Sequence, residues 1–152
     1  MSIGINDLIN AVTTHASSLG YFDAVQGHEP KSAPGKGLTF AVFMTALGPA
    51  RAASGLDSTS ARLELTGRIY KPFLSEPEDL IDPALAEATD MLFSAYTGDF
   101  DLGGTARNVD VLGAHGNPLS MRTGYVTIDK QVFRVCDNII PIIINDAWGQ
   151  GA

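Results

Sequence analysis

The stretch GDFDLGGTARNVDVLGAHG, residues 98–116, gathers the side chains of this sequence best suited to chemistry. Asp99, Asp101 and Asp110 offer carboxylates, His115 an imidazole, and five glycines a backbone that can bend around a ligand. A phosphate-binding loop would need a lysine after its glycines and a helix whose free N–H groups face the anion. Here Gly103 and Gly104 are followed by Thr105, Ala106 and Arg107 and then by a strand-like run, so phosphate binding is not expected. A calcium loop needs oxygen ligands at positions 1, 3, 5 and 12, a glycine at 6 and a closing glutamate. Counted from Asp99, those ligand positions hold Asp99, Asp101, Gly103 and Asp110, with Gly104 at the turn. The match is partial: one ligand is missing and a strand follows where a helix should. The expectation is structural, a helix stop and a glycine-rich turn into a strand.

The remaining reactive residues are scattered. His15, His28 and His115 lie far apart and none has a metal-spaced partner such as H-E-x-x-H. His15 falls on the less apolar side of the first helix and is expected to be solvated. Glu29 could orient His28, yet no nucleophile stands in a recognisable local setting and no G-x-S-x-G occurs. Cys136 is the single cysteine, which excludes an intrachain disulfide and a cysteine-based zinc site; its apolar setting, VFRVCDNII, predicts a buried, inert thiol. No catalytic residue, cofactor or metal is therefore expected. A small divalent-metal enzyme built on Asp99 and Asp101 stays open as an alternative.

The elements that must position these residues follow from periodicity. Ile5, Leu8, Ile9, Val12, Ala16 and Leu19 share one helical face, and Gly20 offers a stop. Residues 21–26 suggest a strand and 30–37 a loop rich in proline, glycine and lysine. LTFAVFMTAL, 38–47, reads as a strand buried on both faces. Residues 48–60 read as a long hairpin loop of small residues. ARLELTGRIY, 61–70, alternates: Ala61, Leu63, Leu65 and Ile69 on one side, Arg62, Glu64, Thr66, Arg68 and Tyr70 on the other. A second helix starts with Asp82 as N-cap and Pro83 at the first position and stops at Gly98. Its buried face would carry Leu85, Ala88, Leu92, Ala95 and Tyr96. Strands are then expected at about 105–112, 119–128 and 131–144, the last two joined by a tight turn at Asp129 and Lys130. The whole is an α+β domain with two main helices, a mixed or antiparallel sheet of about five to six strands and a long hairpin loop.

The totals agree with one folded domain. The chain has 152 residues, 45% hydrophobic and 18% charged, enough for a real core. Its formal net charge of −7 comes without any basic stripe, so a nucleic-acid reader is not expected. The segment MSIGINDLINAV lacks a basic leader before a long apolar run, and IIPIII, residues 139–144, is too short to span a bilayer; neither export nor a membrane is expected. Two features ask for a partner. Leu56 and Asp57 sit at the centre of the 48–60 loop, where an exposed apolar residue could dock on a neighbour. Trp148, the only tryptophan, could pack on its own domain or anchor an interface.

Four stretches, taken in order, resemble the tail terminator (tail completion) proteins of long-tailed bacteriophages. They are GYFDAVQGHEPKSAPGKGL, ASGLDSTSARLELTGRIY, the segment IDPALAEATDMLFSAYTGDFDLGGTARNVDVLGAHGNPLSMRTGY, and IIPIIINDAWGQ. The resemblance implies a virion protein with no chemistry, assembled in the host cytoplasm. Such proteins form a ring, typically of six subunits, on the head-proximal end of the tail tube. They stop tube growth and present a surface to head completion proteins of the neck, and genomic DNA passes through the channel without specific binding. An acidic channel offers no phosphate traps. In that setting Arg107 and Asp110 would pair on a strand face or across a subunit boundary. Another neck component, a head-closure or adaptor protein, is the nearest alternative.

Overall fold

The computed structural model describes residues 4–35, 37–50, 58–73 and 81–149. The elements run α1 (Ile5–Leu19), β1 (Ala24–Gln26), β2 (Thr39–Pro49), β3 (Ser58–Pro72), α2 (Ile81–Gly98), β4 (Asn108–Val109), β5 (Ser120–Ile128) and β6 (Gln131–Gly149). The α+β class and the order expected from the sequence hold. The six strands form one mixed sheet in the order β1-β2-β3-β6-β4, with β5 also on β6. β1 and β2 run parallel; β2–β3, β3–β6, β4–β6 and β5–β6 are antiparallel.

Both helices cover one face of the sheet. Leu8, Val12 and Ala16 of α1 and Leu85, Ala88, Leu92 and Tyr96 of α2 pack with Phe40 and Val42 of β2, Leu63, Leu65 and Ile69 of β3, and Cys136, Ile140 and Ile142 of β6. The periodic residues thus become the core, as the helical and alternating spacings require. Gly20 ends α1 in the left-handed conformation, φ 73°. The buried Tyr96 hydroxyl donates to the Val12 carbonyl at 3.0 Å and joins the two helices. Burial pushes that phenol's pKa upward, so it stays a donor. Gly67 is required by close approach: a Cβ there would lie 2.6 Å from the Phe40 ring.

The opposite face is only partly covered. Ala41, Tyr70, Phe133 and Val135 form a small second core, with Ala33, Val126 and Ile128 against it. The segment carrying Ala33 is tied down because Asp129 Oδ2 accepts its N–H at 2.8 Å. Asp129 and Lys130 both have positive φ, 52° and 64°, the geometry of a two-residue hairpin turn. The expected turn is present without glycine, and its aspartate has this second use.

Several expectations need correction. The strand at 21–26 is confined to Ala24–Gln26. β2 is buried only over residues 39–42, beyond which it passes the helices and Met44 to Leu47 are exposed. The hairpin loop is shorter than 48–60, because Gly48 and Pro49 pair with Arg62 and Ala61 in the β2–β3 ladder. Helix α2 begins at Ile81, which places Asp82 inside its first turn and not at the cap. Asp82 Oδ1 instead accepts from Arg134 Nε at 3.0 Å. The strand at 105–112 shrinks to Asn108–Val109; the Val111 N–H donates to the Val109 carbonyl at 2.8 Å, a three-residue turn that closes the ladder. The last strand does not stop at 144 but continues to Gly149. It passes a bulge in which Asp146 takes φ 50° and its N–H donates to Ser60 Oγ.

Candidate functional site

The 98–116 stretch is built around its aspartates, each of which turns to protein groups. Leu102, Gly103 and Gly104 take successive left-handed φ values of 51°, 70° and 88°. Glycine adopts these without cost; Leu102 tolerates its own because its side chain is buried in the main core. Asp99 Oδ1 accepts the Gly103 N–H at 3.1 Å. Its Oδ2 lies 2.7 Å from His15 Nε2, which must carry the proton because a carboxylate only accepts. The His15 ring also stands edge-on to Tyr96, with centroids 5.8 Å apart. His15 is therefore half-buried and partnered, not solvated as its place on the helix suggested. The Gly103 N–H, then His15, hold the Asp99 carboxyl below the usual carboxylate range. This pair clamps the C-terminal ends of α1 and α2.

Asp110 is almost fully buried and organises the next turn. Its Oδ1 accepts the Ala114 N–H at 2.8 Å and its Oδ2 the His115 N–H at 3.0 Å. Arg62 Nε stands 3.6 Å from Oδ2, an ion pair too long to be a hydrogen bond. The same guanidinium donates to Glu64 Oε2 at 3.0 Å and to the Asn117 carbonyl, fastening the loop to β3. Arg107 and Asp110 do not meet. Arg107 is exposed, and its Nη1 donates to Asn145 Oδ1 at 3.2 Å. Asp99, Asp101 and Asp110 form no cluster able to hold a metal ion, and no such group of three or more occurs among the described residues.

Beyond this loop the uncovered face of the sheet carries a shallow polar groove of about 500 Å³, lined in part by Phe43, Thr45, Arg68, Arg122 and Asp137. Arg68 donates from Nε and Nη2 to the two oxygens of Asp137, a bidentate fork. Its guanidinium also lies 5.7 Å from the Phe43 ring centroid. The Asp137 hydrogen bonds raise the pKa of Arg68 further, against burial, so the guanidinium stays charged. Thr66 donates to Thr45, and Thr45 to the Glu64 carbonyl. These groups satisfy one another. The groove is a polar surface with fixed charges.

Of the other residues singled out from the sequence, Leu56 and Asp57 lie outside the described residues. Trp148 is half-buried within β6, opposite Thr59 of β3. Cys136 is buried in the core, and burial raises its thiol pKa, which keeps it protonated. Sequence reasoning missed the exposed apolar side chains Met44 and Leu47 on β2 and Met121 and Tyr125 on β5. Their signal was present in the uncharged run MTAL and in the alternation of SMRTGYVTI. What covers a strand, however, is not encoded in the strand itself. No protein-family model matches this chain, and no curated protein does.

Proposed function

We propose that this chain is a structural virion protein of long-tailed bacteriophages. It assembles as a ring, of about six subunits in proteins of the type it resembles, on the head-proximal end of the tail tube. There it stops tube polymerisation and offers its outer surface to a head completion protein. The reading starts from the ordered resemblance of the four sequence stretches. The observation that supports it most is the far half of the β2–β3–β6 sheet. Past residue 43 this arm runs beyond the helices and presents Met44 and Leu47 to solvent at 49% and 41% exposure. β2 carries no charged residue along this arm, which suits it to contact with other subunits. The reactive side chains fit an assembly role as well, since Asp99, Asp110 and Arg68 are all engaged in internal bonds. A net charge of −7 suits a channel through which DNA slides.

The test is tube growth. Purified tail tube protein is polymerised with and without this chain, and tube lengths and ends are measured by electron microscopy. The expected result is shortened tubes bearing an extra ring at one end. Unchanged lengths with bare ends would overturn the reading, and binding to portal-side rings but not to tubes would reassign the protein to the neck.

A further inference from the structure

Among the described residues, two long stretches of the sheet's edge have no strand against them. Among the described residues, the outer edge of β2 is paired only at residues 39–41, where β1 lies, which leaves 42–49 open. On the other side, β5 pairs with β6, and no described strand lies against its outer edge over all 9 residues. Exposed edges are ordinarily blunted by charge or proline, because unpaired N–H and C=O groups recruit other strands. β2, TFAVFMTALGP, has no charged residue, and its proline comes last. A bulge between Met44 and Ala46 twists this edge without charging it.

The two margins complement each other. β2, β3, β6 and β5 are successively antiparallel, so β2 and β5 point in opposite directions. A second copy that continues the same sheet therefore brings its β5 antiparallel to β2, the more stable pairing. The faces also match. Met44 and Leu47 stand opposite Leu65 and Leu63 on the helix-bearing face of the sheet. Met121 and Tyr125 stand opposite Asn138 and Arg134 on that same face. All four are at least 40% exposed, and they would meet as one apolar strip across the junction.

We infer that residues 42–49 of one copy pair antiparallel with residues 120–128 of the next, head to tail. Such a contact is heterologous: each added copy leaves one edge of each kind, and the array ends only by closing into a ring. The closure, not the edge pairing, rests on the ring reading above.

The experiment combines native mass at rising concentration with amide hydrogen exchange, on the unmodified chain and on Leu47→Lys and Met121→Lys. Both side chains are exposed, and an unchanged circular dichroism spectrum verifies each fold. The unmodified chain should oligomerise, with exchange slowed roughly tenfold or more in 42–49 and 120–128 together. Each variant alone should stay monomeric. Mixed, they should form pairs and stop there, because one copy keeps a working β2 and the other a working β5. Should a variant misfold, the exchange pattern of the unmodified chain decides. Dimers of Met121→Lys alone would overturn the inference in favour of a symmetric β2–β2 contact. Oligomers with neither segment protected would overturn it and leave the ring reading standing. A monomer up to about 1 mM would overturn it too, whereas tube capping by that monomer would keep the terminator reading.

Discussion

Residues 39–42 and 44–47 belong to one strand, are similarly apolar, and end in opposite environments. Phe40 and Val42 are fully buried, while Met44 and Leu47 are about half exposed. Composition does not separate them. What separates them is coverage, since α1 packs against β2, Phe40 and Val42 enter the core shared with both helices, and the side chains from Met44 to Leu47 lie exposed beyond it. A buried apolar residue reports the fold of its own chain; an exposed one on an uncharged edge reports a surface still open to another. Fully burying a Leu or Met side chain stabilises by roughly 1.5–3 kcal/mol. Met44 and Leu47 therefore hold about half of that gain unrealised in each copy.

Substitutions should break this contrast in a graded way. Phe40→Ala empties the covered half and should cost about 3–5 kcal/mol in urea unfolding; a cost below about 1 kcal/mol would mean that the helices do not seal this region. The double change Gly103→Val with Gly104→Val should cost about 2–4 kcal/mol from φ strain at two positions. Space is not the obstacle there, since a Cβ at either position meets nothing within 4 Å. Normal stability of that double variant would show that the turn can adopt another path. Gly67→Ala should cost about 1–3 kcal/mol by pushing on the Phe40 ring. Phe40→Leu in that background should restore part of the loss, and a strictly additive double-mutant cycle would refute the contact.

Acid sensitivity comes next in size. The Asp99 carboxyl titrates below its unfolded value, so its stabilising contribution is full above about pH 4 and is lost as pH falls through the depressed pKa. Asp99→Asn should flatten that part of the stability curve, measured by urea unfolding between about pH 5 and pH 2. An unchanged slope would place the acid response elsewhere. The smallest effect is expected on the exposed half of β2: Leu47→Ser should leave the monomer's stability within about 0.5 kcal/mol. A larger loss would show that this side chain already has a partner in its own chain.

Much of the framework was legible because it rests on local periodicity. The i, i+3, i+4 spacing from Ile5 to Leu19 and the alternation of 61–70 each name a buried face, and the packing obeys them. Gly103 and Gly104 were legible as a turn, and their left-handed φ values are what such a turn asks of glycine. Relations between distant segments were not. Nothing near His15 announces Asp99, 84 residues away. Nothing in RNVD shows that Asp110 would be consumed by two backbone N–H groups, or that Arg107 would turn to Asn145. The strand expected at 105–112 shortened for a similar reason: Asn108 and Val109 form the ladder with β6, the Arg107 and Asp110 N–H groups bond to β6 carbonyls on either side of it, and the chain turns away beyond them.

The late place of β6 in the chain governs when the sheet can be completed. This strand of 19 residues pairs with β3, β4 and β5, and it comes after all of them in the chain. During synthesis β3 must wait with one edge bare until the segment around Cys136 and Ile140 has emerged. Such non-local pairing slows folding and leaves an unfinished sheet open to the wrong strand. The nascent chain is therefore most vulnerable to aggregation between the emergence of β3 and that of β6, and a chaperone that shelters the β3 edge in that interval would raise the yield of folded protein.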